Sequence, residues 1–306
     1  MIETLFKEEF RSHLEDDGTK TVYDFTRESE QSSFYDRLFS DDRPENERSL
    51  LEEKKSSASR LQQEGIQNIN TVVSFLKGML PEDSVIIEIG GGVHQKRSGY
   101  IYKEFINYYP LDISRSSIRK YVDKYQRPGV VADASNLPFE DNSVDAIFTH
   151  TFLEHTTDPQ KILNEITRVL KPGGVIIHLD AWFCRWWHRY GVVGLKKISE
   201  MSFKERCINL AARVTEFKAF RIPPIILRRF FRLSFSNTKQ PLGLSYRKLK
   251  PNYELFLGCD EDAASSIDPI DVILYYQSIG FKPFEKNSFR KKLFYRSPFI
   301  LLKKGQ

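Results

Sequence analysis

An acid two residues ahead of three glycines is the first place where this sequence could do chemistry: Val85-Ile-Ile-Glu88-Ile-Gly90-Gly91-Gly92. The apolar run predicts a short buried strand. The glycines predict a tight turn with no side chains to hold a ligand away. A phosphate site would gain from a lysine or a helix N-terminus here, and Glu88 works against one. A carboxylate suits a ligand bearing hydroxyls and a positive charge. Two more acids close later apolar segments, Asp112 in Tyr108-Tyr-Pro-Leu-Asp112-Ile-Ser and Asp133 in Val130-Val-Ala-Asp133. In doubly wound folds an acid about this far beyond the glycines takes ribose hydroxyls, since a carboxylate accepts two hydrogen bonds at once. Asp133 is placed to meet an amino group such as that of adenine.

The elements that must position these acids alternate between strand and helix. A fourth strand is expected at Val144-Asp-Ala-Ile-Phe-Thr149. The helix after it starts at Asp158-Pro159, carries Ile162, Leu163, Ile166, Val169 and Leu170 on one face, and stops at Lys171-Pro-Gly-Gly174. A fifth strand follows at Val175-Ile-Ile-His-Leu179. This alternation predicts a mostly parallel sheet with right-handed crossovers.

The order Glu88-x-Gly90-x-Gly92, Asp112-Ile-Ser, Asp133-Ala134, Leu137-Pro-Phe, Phe152-Leu-Glu-His155 with Asp158-Pro, and Arg168-Val-Leu-Lys-Pro-Gly-Gly174 resembles class I S-adenosylmethionine-dependent methyltransferases of the type 11 group. The resemblance is strong over about Asp83 to Leu179. It is weaker over Asp268 to Lys304, where Ile279-Gly-Phe and Phe299-Ile-Leu-Leu look like the closing antiparallel hairpin. It implies a Rossmann-like α/β fold with a seven-stranded, mostly parallel sheet and helices on both faces. It also implies S-adenosylmethionine as cofactor, held by Glu88, Gly90, Gly91, Gly92, Asp112, Asp133, Ala134 and Thr149. One departure stands out: Val93-His-Gln-Lys-Arg-Ser-Gly99 is polar and short where the family has a full amphipathic helix, so a truncated first helix is expected. The implied chemistry is direct displacement at the sulfonium methyl, with the protein supplying alignment and exclusion of water. Candidate bases are His155, His150, Glu154 and Asp180; His155 leads because imidazole titrates near neutrality, although Glu154-His155 belongs to the family signature whatever the substrate.

Composition bounds the rest. The 306 residues, 40% apolar and 13% aromatic, suffice for one good core with elaborations. Cys184, Cys207 and Cys259 show no paired spacing and read as reduced thiols, so no metal site is expected. Neither a signal peptide nor a membrane-spanning apolar run is evident, which predicts a cytoplasmic protein that at most binds a membrane surface. Charge is uneven: residues 182–258 hold 16 Lys and Arg against 4 Glu and no Asp, while the whole chain is +5. That segment also contains all three tryptophans.

The expected organisation is therefore an N-terminal, mostly helical extension over 1–81, a cofactor-binding core over 82–181 and 259–306, and a basic aromatic insert over 182–258 after the fifth strand. Basic residues among aromatics suit a membrane interface holding a lipid-linked substrate, or anionic glycans. Charge alone also admits nucleic acid, which ranks lower. The plain alternative is a helical lid with aromatics in its core and solvated charges. Ile222-Pro-Pro reads as a helix start with prolines in its first turn. The acids of Asp260-Glu-Asp262 could hold a metal or sugar hydroxyls, but an acidic solvated loop is the leading reading. The acceptor expected on this reading is an oxygen of a sugar or lipid-linked glycan. A quinone-like ring, or cofactor binding without turnover, are the alternatives.

Overall fold

The computed structural model describes residues 2–11, 22–26, 28–40, 70–91, 101–192, 197–254, 260–284, 288–295 and 299–306. Gly92, the Val93–Gly99 segment and Cys259 lie outside the described residues. So do Leu61, Ile66 and Ile69, whose spacing with Val72, Val73 and Leu76 predicts an amphipathic helix before the first strand; the last three are described. The chain forms two compact units, one of Met1–His150, Lys161–Leu179 and Lys304–Gln306, the other of Thr151–Gln160 and Asp180–Lys303.

Among the described residues the first unit is built on six strands: β1 Val22–Asp24, β2 Ile86–Ile89, β3 Tyr108–Asp112, β4 Gly129–Val131, β5 Val144–His150 and β6 Leu170–Leu179. Their order is β1-β4-β3-β2-β5-β6, and every pairing within it is parallel. All residues of β2 and β3 are buried, as expected of central parallel strands that read as unbroken apolar runs. The helix Arg115–Tyr125 buries Ile118, Tyr121 and Val122 and packs on β3 and β4. The helix Pro159–Val169 starts at the expected proline and buries Ile162, Leu163 and Ile166. Lys171-Pro-Gly-Gly174 produces a register shift between β5 and β6, with Gly173 at φ 77°.

The described part of the N-terminal segment is mostly helical, as expected, with one strand added. Residues 30–39 and 70–77 are helical, but Val22–Asp24 adds the edge strand of the sheet by pairing with β4.

The second unit holds a two-stranded antiparallel ribbon of β7 Tyr246–Lys248 and β8 Ser265–Ile267, and the expected closing hairpin of β9 Lys282–Pro283 and β10 Ile300–Lys303. Its helices include Phe203–Glu216, Lys218–Phe235 and Pro269–Ser278. Asp268 caps the last of these by accepting the Ile270 amide at 2.9 Å. The prolines of Ile222-Pro-Pro do not start a helix: Pro223 and Pro224 lie inside Lys218–Phe235, whose first residue precedes them by more than a turn.

Part of the insert is core. Trp187 packs with Val192, Met201, Ile208 and Ala212. Part of its basic charge is also structural. Buried Arg229 donates from Nε to Asp268 Oδ2 at 2.9 Å and from Nη2 to Oδ1 at 3.0 Å, and from Nη1 to the Tyr295 carbonyl at 2.9 Å. Arg232 Nε donates to Asp271 Oδ1 at 2.7 Å.

Candidate functional site

Parallel pairing brings the carboxyl ends of β2, β3, β4 and β5 to one edge of the first unit. Ile89 lies opposite Leu111 and Thr149, and Asp112 opposite Val131. Gly90, Gly91, Asp112, Asp133, Ala134 and Thr149 therefore gather where open α/β sheets bind ligands. Gly90 adopts φ 76°, which favours glycine, and the amides of Gly90 and Gly91 both donate to the Leu111 carbonyl, at 2.7 and 3.2 Å. The turn is thus tied to the neighbouring strand.

Glu88 is 1% exposed, and its carboxylate accepts a hydrogen bond from the Tyr108 hydroxyl. A Cβ at Gly91 would stand 2.8 Å from Glu88 Cγ, so the glycine is required by close approach. Gly91→Ala is expected to cost about 1–3 kcal/mol, the usual range for overpacking. Thermal unfolding measures this, and an unchanged midpoint would refute the steric account.

Asp112 is buried and accepts the Ser114 amide at 2.9 Å. Asp133 is exposed and accepts the Ser135 amide at 2.8 Å. Beside them sits a residue that the sequence reading missed. Asp36, on the helix Glu30–Phe39, accepts the Ser114 hydroxyl at 3.0 Å and the Ser116 amide at 2.8 Å. It places a carboxylate at the positive end of the helix Arg115–Tyr125. The capping box of Ser29 and Ser32 marked that helix's start, but nothing local marked its destination. Thr149 Oγ1 lies 2.8 Å from His178 Nδ1, and both are buried. His150 ends β5 with its ring 6.4 Å from that of Phe148.

The second unit contains a separate cluster. The turn Leu153–His155 is clamped by the Ala264 amide, which donates to the Glu154 carbonyl at 2.8 Å, and by the Ser265 hydroxyl, which donates to the Leu153 carbonyl at 2.9 Å. Asp180 Oδ1 accepts the amides of Phe152 and Leu153 at 3.0 and 3.3 Å, which makes it an anchor of the same turn. His155 Nδ1 lies 3.1 Å from Asp262 Oδ2, and Nε2 lies 3.7 Å from Glu154 Oε1.

Burial opposes the imidazolium, but the Asp262 carboxylate outweighs it, with Glu154 and Asp260 adding to the effect, and the His155 pKa is pushed up to about 10. Burial, reinforced by Asp180 and Asp260, pushes the Glu154 carboxyl well above its ordinary range. At neutral pH His155 is therefore a cation held by Asp262, and a cation is no general base. This weighs against the base role expected for His155. The acidic loop is also corrected: Glu261 and Asp262 are buried, at 1% and 3% exposure, and the side chain of His155 gives Asp262 a counter-charge.

Metal-ligating types also meet here. Donor atoms of Glu154, His155 and Asp260 lie within 4.8 Å of one another, as do those of Cys184, His188 and Asp260. Carboxylate, imidazole and sulfur donors of this kind suit a divalent transition ion. Burial raises the Cys184 thiol far above its usual pKa, so without a cation it is an inert neutral group.

Residues 87–178 match the family model described as a methyltransferase domain. A ubiquinone/menaquinone biosynthesis C-methyltransferase of Desulfotalea psychrophila is 32% identical over 93 residues, 26% of this chain and 38% of that protein. A phthiotriol/phenolphthiotriol dimycocerosates methyltransferase of Mycobacterium ulcerans is 31% identical over 100 residues, 31% of this chain and 36% of that protein. The chain thus spans little more than a third of these relatives' length. A solved structure, described as a candidate methyltransferase from Bacillus halodurans C-125, aligns over 79% of this chain and 99% of its own, at 10% identity and a TM-score of 0.43. Among the described residues no helix is long and apolar enough to cross a membrane. The glycine turn with its buried acid, the acids at successive strand ends and the family match over the same strands agree: residues 87–178 are a methyltransferase domain of the class I, S-adenosylmethionine-dependent family.

Proposed function

We propose that this protein transfers a methyl group from S-adenosylmethionine to a quinone-like or otherwise lipid-like ring acceptor. The observation that carries the cofactor is the gathering of Glu88, Gly90, Gly91, Asp112 and Asp133 at one sheet edge of the first unit. Gly91 lets the turn close over the buried Glu88 side chain, which a Cβ there would strike at 2.8 Å. Asp112 is the acceptor for the ribose hydroxyls and Asp133 for the adenine amino group. When bound, the cofactor supplies an activated sulfonium methyl. Support for the acceptor class comes from the names of the matched relatives, which act on ubiquinone or menaquinone precursors and on a phthiotriol lipid. These favour a ring or lipid acceptor over the sugar oxygen expected from the sequence.

His150, buried at the end of β5 beside Thr149, is the residue we assign to take the acceptor's proton. It belongs to the same strand-end set as Asp112, and its ring is not the imidazolium clamped by Asp262. Asp180, which holds two backbone amides, positions the Leu153–His155 turn.

Calorimetric titration with S-adenosylmethionine tests the cofactor. Asp112→Ala is expected to weaken binding roughly 10- to 100-fold, the loss of hydrogen bonds to a charged group. His150→Ala should bind normally and lose turnover of a short-chain demethylated quinol. Absence of binding by the unaltered protein would end this reading, and turnover of a sugar with none of the quinol would restore the glycan acceptor.

A further inference from the structure

The two helices Phe203–Glu216 and Lys218–Phe235 each carry an apolar stripe turned to solvent. On the first, Phe203, Cys207, Leu210 and Val214 are all exposed and recur at i, i+4, i+7 and i+11. The second repeats the pattern with Phe220, Pro224, Leu227, Phe231 and Phe235. Phe217 stands exposed between them. This spacing puts each set along one helix face. Helices in a water-facing setting carry polar residues on such a face, yet Phe203 is 84% exposed and Phe235 78%. The buried side chains of the pair, Ile208, Asn209, Ala212 and Arg229, lie at other positions. A repeated, ordered stripe of large apolar groups marks a contact surface.

Charge decides what covers it. Lys204, Arg206, Arg213, Lys218 and Arg221 are exposed on the same two helices, while Arg228 is engaged by Asp268 and Asp271. The two acids, Glu205 and Glu216, are half-buried and engaged: Glu205 closes a capping box with Ser202, and Glu216 receives Arg185 at 3.0 Å and Arg221 at 2.8 Å. A second copy of the chain would bring a positive face against a positive face. An anionic lipid surface meets both requirements, taking the apolar stripes between its headgroups and neutralising the flanking cations.

We propose that the helix pair 203–235 docks this protein on an anionic membrane surface through the Phe203–Val214 and Phe220–Phe235 stripes. The insert is then neither solely a lid nor solely solvated: Trp187 and Arg229 hold it together, and the stripes engage lipid.

Co-sedimentation with phosphatidylcholine vesicles, with and without phosphatidylglycerol, tests this directly. The unaltered protein is expected to pellet with phosphatidylglycerol-containing vesicles at low salt and to be released as salt rises. The triple variant Phe220→Ser, Leu227→Ser, Phe231→Ser alters exposed side chains only and should keep its unfolding midpoint. It is expected to lose at least about tenfold in vesicle affinity, as burial of three large apolar groups requires. Lys204→Gln with Lys218→Gln should weaken binding to anionic vesicles alone. Failure to pellet at low salt overturns the proposal, as does unchanged binding by the triple variant. So does a dimer that the triple variant converts to a monomer, with no vesicle binding by either. S-adenosylmethionine titrations on the same preparations separate this from the methyl-transfer reading, because intact cofactor binding without vesicle binding removes only the docking surface.

Discussion

Replacing Arg229 by alanine is expected to cost roughly 3–5 kcal/mol, as removal of one partner from a buried ion pair generally does. The guanidinium is 4% exposed and meets both oxygens of Asp268, itself 3% exposed, while also satisfying the Tyr295 carbonyl. Truncation would leave the buried Asp268 carboxylate with only the longer 3.4 Å contact from Arg228 and the Ile270 amide, and would take a donor from the Tyr295 carbonyl. Denaturant titration of the whole chain would show the second unit melting earlier. The double variant Arg229→Met with Asp268→Asn separates charge from packing: asparagine still caps the helix Pro269–Ser278 and methionine refills the space. Partial recovery of the midpoint supports the stranded charge as the cause. A loss below about 1 kcal/mol in the single variant would show that Asp268 reaches water once Arg229 is gone.

Asp262→Asn is the second large effect, and it carries a pH signature. His155 in the folded protein holds its proton up to about 10, above the ordinary imidazole value near 6.5. Between those values the folded state binds more protons than the unfolded one, so stability falls as pH rises. This contribution is complete below about pH 6.5 and is lost as pH passes through about 10. The raised Glu154 carboxyl acts in the same sense, since it too holds a proton better when folded. Asp262→Asn removes the counter-charge and leaves a buried imidazole that burial drives toward neutrality. The variant is expected to be less stable at pH 7 by roughly 3–5 kcal/mol and to show a flattened stability profile between pH 6.5 and 10. Imidazole proton resonances followed against pH provide the direct reading. A His155 midpoint near 6.5 in the unaltered protein would refute the assignment and return His155 to the list of bases.

What could be read in the sequence was short in range. The strand into Gly90, Asp112 at the end of β3, Asp133 after β4 and the Pro159 helix start each depend on a few adjacent residues, and each sits where the pattern placed it. The edge strand Val22–Asp24 is three residues long, too short for any period, and is defined only by its partner β4. Asp260-Glu-Asp262 reads as solvated because the cation that allows its burial, His155, is a hundred residues away. His155 in turn reads as a free imidazole because Asp262 is equally distant. The two prolines of Ile222-Pro-Pro imitate a helix start, whereas the chain is already helical from Lys218.

Strand β1 also sets a clock on biosynthesis. Val22 pairs with Gly129, so β1 waits for over a hundred further residues after it leaves the ribosome before its partner exists. At ordinary translation rates this delay is roughly 5–20 s. During it, the sheet can assemble from β2 and β3, whose pairing spans about twenty residues. A long apolar strand kept waiting would invite pairing with other nascent chains. Three residues that end in Asp24 offer little to pair with. The brevity that hides β1 from sequence inspection is the property that lets it wait for β4.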